Sequence, residues 1–283
     1  MDDTLDQFNT RYRLAFSQPH IRRLIANVPT YMTIDDHEIE GNWPAKAEPK
    51  DWVTKYPAAM HSSMTYQMSG NPLFAVNAQN KLHGVPKKLW YEFTDGCCDV
   101  FVIDTRTERN LKSEPKELMS QEQLQALKDW LNDGSGNVKL VESAIPLFPD
   151  HKTKSSDKWG GFLDQREDVL NHIRDHKIQR VVFLSGDIHC SMTAVLVSPS
   201  NPSFKVISII FTAFFWPYRH PKPSMLNLQG QLPTAGSGDY TLANVGPIDA
   251  TDNFTRLHID LKGITAEVYA RKGEQIRIRT HSF

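Results

Sequence analysis

The sequence predicts an α/β fold built as a layered sandwich, and three observations carry that expectation. Apolar runs of strand length alternate with helical patterns through the middle of the chain, from "KLWYEFT" to "VVFLSGDIH". The last third turns to strand patterns alone. No Gly/Ser/Pro-rich stretch separates the two, so one domain over residues 1–283 is expected. A chain near this length buries about three quarters of its unfolded surface, enough for a core without staples.

In chain order, Phe8, Tyr12, Leu14 and Phe16, then Ile21, Leu24 and Ile25 beyond Pro19, recur near the helical period. "PTYMTI" reads as a short strand ending at Asp35. Residues 41–56 read as a surface loop rich in Trp and Pro, and "PAAMHSSMTYQM" as a helix closed by "SGNP". "KLWYEFT" and "CCDVFVIDTR" make a hairpin about "DGC". Ser120 caps the helix of "SQEQLQALKDWL", with Gln123 at the capping-box position and Leu124, Leu127 and Leu131 as its buried stripe. "GNVKLVESAI" is a strand and "GGFLDQREDVLNHIRDH" a helix. "IQRVVFLSGDIH" is a strand with the continuous apolar run of one covered on both faces. "SMTAVLVS" and "FKVISIIF" follow as strands, and "NFTRLHIDLKGITAEVYARKGEQIRIRTH" alternates through a meander.

Composition narrows the function classes. With 40% hydrophobic and 23% charged residues the chain is of ordinary globular type, and a net charge of -1 supplies no basic field for nucleic acid. Three cysteines, with Cys97 and Cys98 adjacent, fit neither a disulfide framework nor a structural zinc site, so a reducing compartment is expected. The opening residues lack a basic stretch followed by an apolar run, which makes a cytoplasmic location the default expectation. The longest apolar run, Val206 to Trp216, falls short of the ~18 residues a membrane span needs.

Two clusters carry chemistry, each placed at the end of an expected strand. In "MTIDDHEIEGNW", Asp35, Asp36, His37 and Glu38 stand in a row. In "VVFLSGDIHCS", Gly186 lets the backbone turn, and Asp187 and His189 lie two residues apart. On an extended backbone that spacing points both side chains one way, toward a common ion. Carboxylate and imidazole suit zinc, iron, manganese or, with more oxygens, calcium. Taken singly, the Asp187–His189 pair reads as a turn residue beside a solvated histidine, and "DDHE" as acidic residues at a helix start. A serine hydrolase built on Ser185 or Ser191 lacks support, because no Gly-x-Ser-x-Gly elbow occurs.

"TIDDHEIEGNW", "FVIDTRTER", "DKWGGFLDQRE" and "VVFLSGDIHCS", in this order, resemble the PhoD-like (alkaline phosphatase D) metallophosphatases, members of the calcineurin-like metallophosphoesterases. The resemblance runs from about Phe8 to about Thr193. It implies an α/β/β/α sandwich with a metal centre between two sheets and hydrolysis of phosphate mono- or diesters by a metal-activated water. Asp36, Asp187 and His189 would be metal ligands, and His37 with Asp36 the catalytic pair, the imidazole protonating the leaving group. Asp35 and Glu38 would support them from behind, a carboxylate fixing the tautomer of His37. Arg106 either pairs with substrate phosphate or is a surface arginine ending a strand. Trp159 reads as packing, and "FFWPYRHP" as either a pocket rim or core beside an exposed loop.

The family's early metal-ligand segment and its Gly-Asp-x-x-Tyr stretch, whose aspartate bridges two metals, have no counterpart here. No glycine precedes Asp35, and the Gly-Asp pairs are Gly186-Asp187 and Gly238-Asp239. The sandwich is therefore expected to be incomplete on its N-terminal side, with an exposed edge that invites oligomerisation. The alternative to an active phosphatase is an impaired or partner-dependent remnant with a binding or structural role.

Overall fold

The computed structural model describes residues 4–76, 78–79, 82–83, 86–153, 155–211, 214, 222–236 and 238–283. Two helices open the chain, α1 (Leu5–Phe16) and α2 (Pro19–Asn27). Thr4 Oγ1 accepts from Gln7 N at 3.4 Å and Gln7 Oε1 accepts from Thr4 N at 3.0 Å. This reciprocal cap satisfies donors that the first turn of a helix leaves open. α3 (Lys55–Ser62) continues into a π-helical turn over Ser63–Gln67. Phe8 of α1 and Met60 of α3 join Ile34, Ile39, Trp43 and Met68 in a small core of their own.

The strand expected over "PTYMTI" does not form, although the backbone there is non-helical. Met32 N donates to Asn71 Oδ1 at 3.0 Å, and Met32 O accepts from Asn71 Nδ2 at 2.5 Å and from Tyr91 Oη at 3.0 Å. Side chains thus take the backbone groups that a neighbouring strand would have used.

Strands β1 (Ala75–Val76) and β2 (Leu82–His83) form a small antiparallel pair. Among the described residues, β3 (Tyr91–Asp95), β4 (Cys98–Ile103), β5 (Val138–Ser143), β6 (Val181–Ser185), β7 (Ser191–Ser198), β8 (Asn201–Phe211), β9 (Gly230–Gln231) and β10 (Thr241–Ala243) make one sheet. Its order is β3-β4-β5-β6-β8-β7-β10-β9. β4, β5, β6 and β8 run parallel, and the outer pairings are antiparallel. Helices α4 (Gln121–Leu131) and α5 (Leu163–Asp175) connect β4 to β5 and β5 to β6. β11 (Asn253–Asp260), β12 (Gly263–Ala270) and β13 (Gln275–Ser282) form the antiparallel meander that the sequence led us to expect.

Period-two alternation sorts the central strands between two cores. Phe101, Val141 and Phe183 meet Leu124, Leu127, Leu170 and Ile173 of α4 and α5. Val100, Val102, Leu140 and Val182 point the other way, into the core shared with Ile264 and Ala266 of β12. The layers are helices, large mixed sheet and small sheet. Phe254, Ile276 and Ile278 on the outer strands of the small sheet are exposed.

The cap of α4 forms with one change. Ser120 Oγ accepts from Gln123 N at 3.2 Å, but the Gln123 side chain bonds Asp104 N, Asp104 O and Glu108 instead of turning back. Glu108 takes the Ser120 N–H at 3.2 Å in its place. In "FFWPYRHP", Phe214 is exposed and residues 215–221 lie outside the described residues. Among the described residues no helix is long and apolar enough to cross a membrane.

The consequence for function is positional. β4, β5 and β6 are parallel neighbours and end at Ile103, Ser143 and Ser185 in one register, so the segments that follow them open on one side of the sheet. In open α/β sheets that carboxyl-end crevice is where ligands sit.

Candidate metal centre

The first loop at this end is "IDDHEIEGN". A 3-10 turn over Asp36–Glu38 follows Asp35. Glu38 shapes the turn: its carboxylate accepts from Asp35 N at 2.9 Å and from Gln67 Nε2 at 3.3 Å. Asp36 is only 4% exposed. Its Oδ2 accepts from the backbone N of Asn42, a residue held at φ 63° in the left-handed region. Its Oδ1 is buried with no hydrogen-bond partner among the described residues. An orphaned carboxylate oxygen is costly, and it marks a position built for something else. His37 stands exposed on the same turn. Gly41 lies close beneath it, where a Cβ would come within 3.4 Å of His37 Cε1.

The second loop follows β6. Gly186 N donates to Ala144 O at 3.2 Å, and the reversal is made by Asp187 at φ 67° and His189 at φ 54°. Two non-glycine residues in the left-handed region within three positions are unusual and strained. The extended geometry expected for Asp187 and His189 is therefore not what the chain adopts. Asp35, Asp36 and Asp187 each place a carboxylate oxygen within 4.8 Å of the others. His189 is half-buried and stands outside that group of three.

A third segment closes the site with cations. Arg106, 0% exposed, donates from Nε to Asp35 Oδ1 at 2.6 Å, from Nη1 to Asp157 Oδ1 at 2.8 Å and to Trp43 O at 3.3 Å. Arg109 Nη1 reaches the same Asp157 oxygen at 2.8 Å. Lys158 Nζ lies 3.2 Å from Asp157 Oδ2 and pairs directly with Asp187 Oδ2. Asp35 thus spends an oxygen on Arg106, where the sequence pointed to His37. Arg106 is neither on the surface nor open to a pocket: its fork is filled by carboxylates from two loops.

The electrostatics follow from burial and these pairings. Burial, only partly offset by Arg106 and reinforced by the charges of Asp187 and Asp36, pushes the Asp35 carboxyl up to about 7. Burial also works against the charge on Asp157, but the hydrogen bond and charge of Arg106, with Lys158 and Arg109, hold it at about 2. Burial beside Arg106 brings Arg109 down to about 10. Glu142, near the end of β5, has an orphaned Oε2; burial and then the charge of Asp35 push it up to about 8.

Three carboxylate oxygens in one cluster fit a hard cation completed by water, and the orphaned Asp36 oxygen is the kind of group such an ion satisfies. Among the described residues no other such group of three is gathered. Lys158, Arg109 and Glu142 were not singled out by the sequence reading. Two of them carried a signal: Lys158 adjoins Asp157, and Glu142 is a lone acid in the otherwise apolar "VKLVESAI".

Comparison with known proteins bears on the family and the fold. The family profile described as PhoD-like phosphatase matches residues 2–213. Alkaline phosphatase D of Bacillus subtilis (strain 168) is 26% identical over 224 residues, covering 68% of this chain and 36% of that protein. A solved structure of PhoD superposes with TM-score 0.70 at 19% identity, over 99% of this chain and 60% of that one. A purple acid phosphatase from yellow lupin (Lupinus luteus) seeds superposes with TM-score 0.55 at 13% identity, over 99% of this chain and 49% of that one. The chain thus spans between about a third and two thirds of the length of these relatives.

Proposed function

Because the chain belongs to the PhoD-like phosphatase family, we propose that it hydrolyses phosphate mono- or diesters at the Asp35–Asp36–Asp187 cluster. The observation that carries this reading is the buried, unpartnered Asp36 Oδ1 beside two further carboxylates at the strand ends. Asp35, Asp36 and Asp187 would hold the metal, with His189 as the nearby imidazole. The ion would be manganese, iron, zinc or calcium. When bound, it supplies charge neutralisation at the phosphoryl group and acidity to a coordinated water.

The chain's own residues do the rest. The Asn42 N–H holds Asp36 through Oδ2 and leaves Oδ1 without a partner among the described residues. Arg106 anchors Asp35 and, through Asp157, ties the first loop to the segment that bears Lys158. His37, exposed on the turn above Gly41, would hand a proton to the departing alkoxide oxygen. General acids of this kind contribute about 10²–10⁴ in rate.

A second reading has its own support. Asp187 is already paired with Lys158, as befits a catalytically impaired protein with a binding or structural role. Hydrolysis of p-nitrophenyl phosphate and of its bis-ester by the purified chain, with each divalent ion added, separates the two. Turnover that depends on metal and falls at least a hundredfold in His37→Ala supports the first reading. No turnover with any ion, in protein shown to bind one, supports the second.

A further inference from the structure

We infer that Lys158 is a built-in second cation of this site, so that the chain binds one metal ion where two would otherwise be held. This rests on the reading of Asp35, Asp36 and Asp187 as metal ligands and goes beyond it by fixing how many ions the centre takes.

The geometry is specific. Lys158 is 7% exposed, and its ammonium touches Asp187 on one side and Asp157 Oδ2 at 3.2 Å on the other. Asp187 is one of the three clustered donors, and Asp157 is the carboxylate that Arg106 and Arg109 share. The positive charge of Lys158 therefore bridges the donor cluster and the ionic network behind it. In a two-metal centre a second ion lies roughly 4 Å from the first and shares ligands with it. Lys158 sits against such a ligand, and it is covalently fixed there.

Charge and donor count agree. Arg106, Arg109 and Lys158 pair with Asp35, Asp157 and Asp187, and Asp36 joins the cluster without such a pair, so one negative charge is left over by formal count. One divalent ion is accommodated at a small excess of positive charge. A second would stand beside three fixed cations in a largely buried site, where like charges repel more strongly than in water. It would also need donors of its own, and among the described residues one group of three is gathered. The unpartnered Oδ1 of Asp36, in a residue 4% exposed, marks the place left for the first ion.

Calorimetric titration of the full chain with Mn²⁺, with metal content measured after gel filtration, tests this without any assay of turnover. The wild type and Lys158→Arg are expected to bind one Mn²⁺ per chain, with affinities within threefold of each other. Lys158→Met is expected to bind Mn²⁺ at least tenfold more tightly, because a competing charge is gone. Two ions per wild-type chain, none at all, or unchanged or weaker binding by Lys158→Met would each overturn the inference. If Lys158→Met fails to fold, the electron paramagnetic resonance spectrum of Mn²⁺ on the wild type decides: an isolated-ion six-line signal supports one ion, and a spin-coupled pair signal refutes it. Metal binding as expected without hydrolysis would remove the phosphatase reading and leave the single-ion site standing.

Discussion

The two ends of the same parallel strands handle buried charge in opposite ways. At the end where β4 begins, Asp99 is enclosed by partners: Thr94 Oγ1 at 3.0 Å, Ser135 Oγ at 2.5 Å, Asn137 Nδ2 at 3.0 Å and Lys139 Nζ at 3.1 Å. Lys139 rests over the Trp130 ring as well, 4.7 Å from its centroid. Burial opposes the charge on Asp99, but the hydrogen bonds of Ser135, Asn137, Lys139 and Thr94 hold its carboxyl down at about 2. At the far end Asp36 and Glu142 keep orphaned oxygens, and Asp35 is pushed up to about 7. Three non-glycine residues there, Asn42, Asp187 and His189, adopt left-handed backbone. A closed network stabilises the fold. An open one is tolerated where its unsatisfied groups serve a ligand.

The sharpest way to break this comparison is to delete one carboxylate from each end. Asp99→Ala leaves Lys139 buried without its counter-charge, which costs about 3–5 kcal/mol. Urea unfolding should register that loss, while turnover per folded molecule stays at the wild-type level. Asp36→Ala removes an already under-satisfied carboxylate, so the folded state should lose little. Phosphate-ester hydrolysis should fall by about 10²–10³, the scale for losing one group that stabilises transition-state charge. The contrast collapses if Asp99→Ala abolishes hydrolysis in a well-folded protein or if Asp36→Ala simply unfolds.

The same contrast explains what the sequence discloses. Strands β4 to β8, the C-terminal meander and helices α4 and α5 are written in local periodicity, because each must present apolar groups at a fixed spacing to a core. "PTYMTI" has strand composition too, but Asn71, 39 residues away, supplies its bonds through a side chain, which no local pattern reveals. Asp36 and Asp187 are legible as acids beside histidines that follow strand-like apolar runs. Their cations are less so. Arg106 reaches Asp157 across 51 residues and Asp35 across 71, pairings made by the tertiary fold alone. His189 shares the Asp-x-His spacing, but its left-handed φ, not the spacing, sets where its backbone leads.

pH sharpens the comparison, because the two ends titrate in opposite senses. Asp99 is held below its unfolded value, so its stabilising contribution is present above about pH 4 and fades as pH falls toward 2. Glu142 is held above its unfolded value. The folded state keeps a proton that the unfolded chain releases near pH 4.5, and the stability this confers is lost as pH rises through about 8. Glu142→Gln abolishes that dependence. Between pH 5 and pH 9 the melting temperature of the wild type should fall more than that of Glu142→Gln, by a difference on the order of 5 °C for a chain of this size. Parallel melting curves for the two proteins would show that Glu142 is not held protonated by its surroundings.

The smallest effect is the most discriminating, because it compares one hydroxyl with another. Ser135 donates to Asp99 at 2.5 Å and belongs to the closed end. Ser185, the last residue of β6 and two residues before Asp187, has a buried hydroxyl with no partner among the described residues. Ser135→Ala should cost about 1–2 kcal/mol, the net worth of a hydrogen bond to a charged acceptor. Ser185→Ala gives up no bond and removes a group whose desolvation is uncompensated, so its stability should match or exceed that of the wild type by up to about 1 kcal/mol. If Ser185→Ala is destabilised as much as Ser135→Ala, the hydroxyl has a partner and the far end is more closed than its geometry implies. If it is as stable as the wild type but binds Mn²⁺ more weakly, the hydroxyl is itself one of the groups that the open end reserves for the ion.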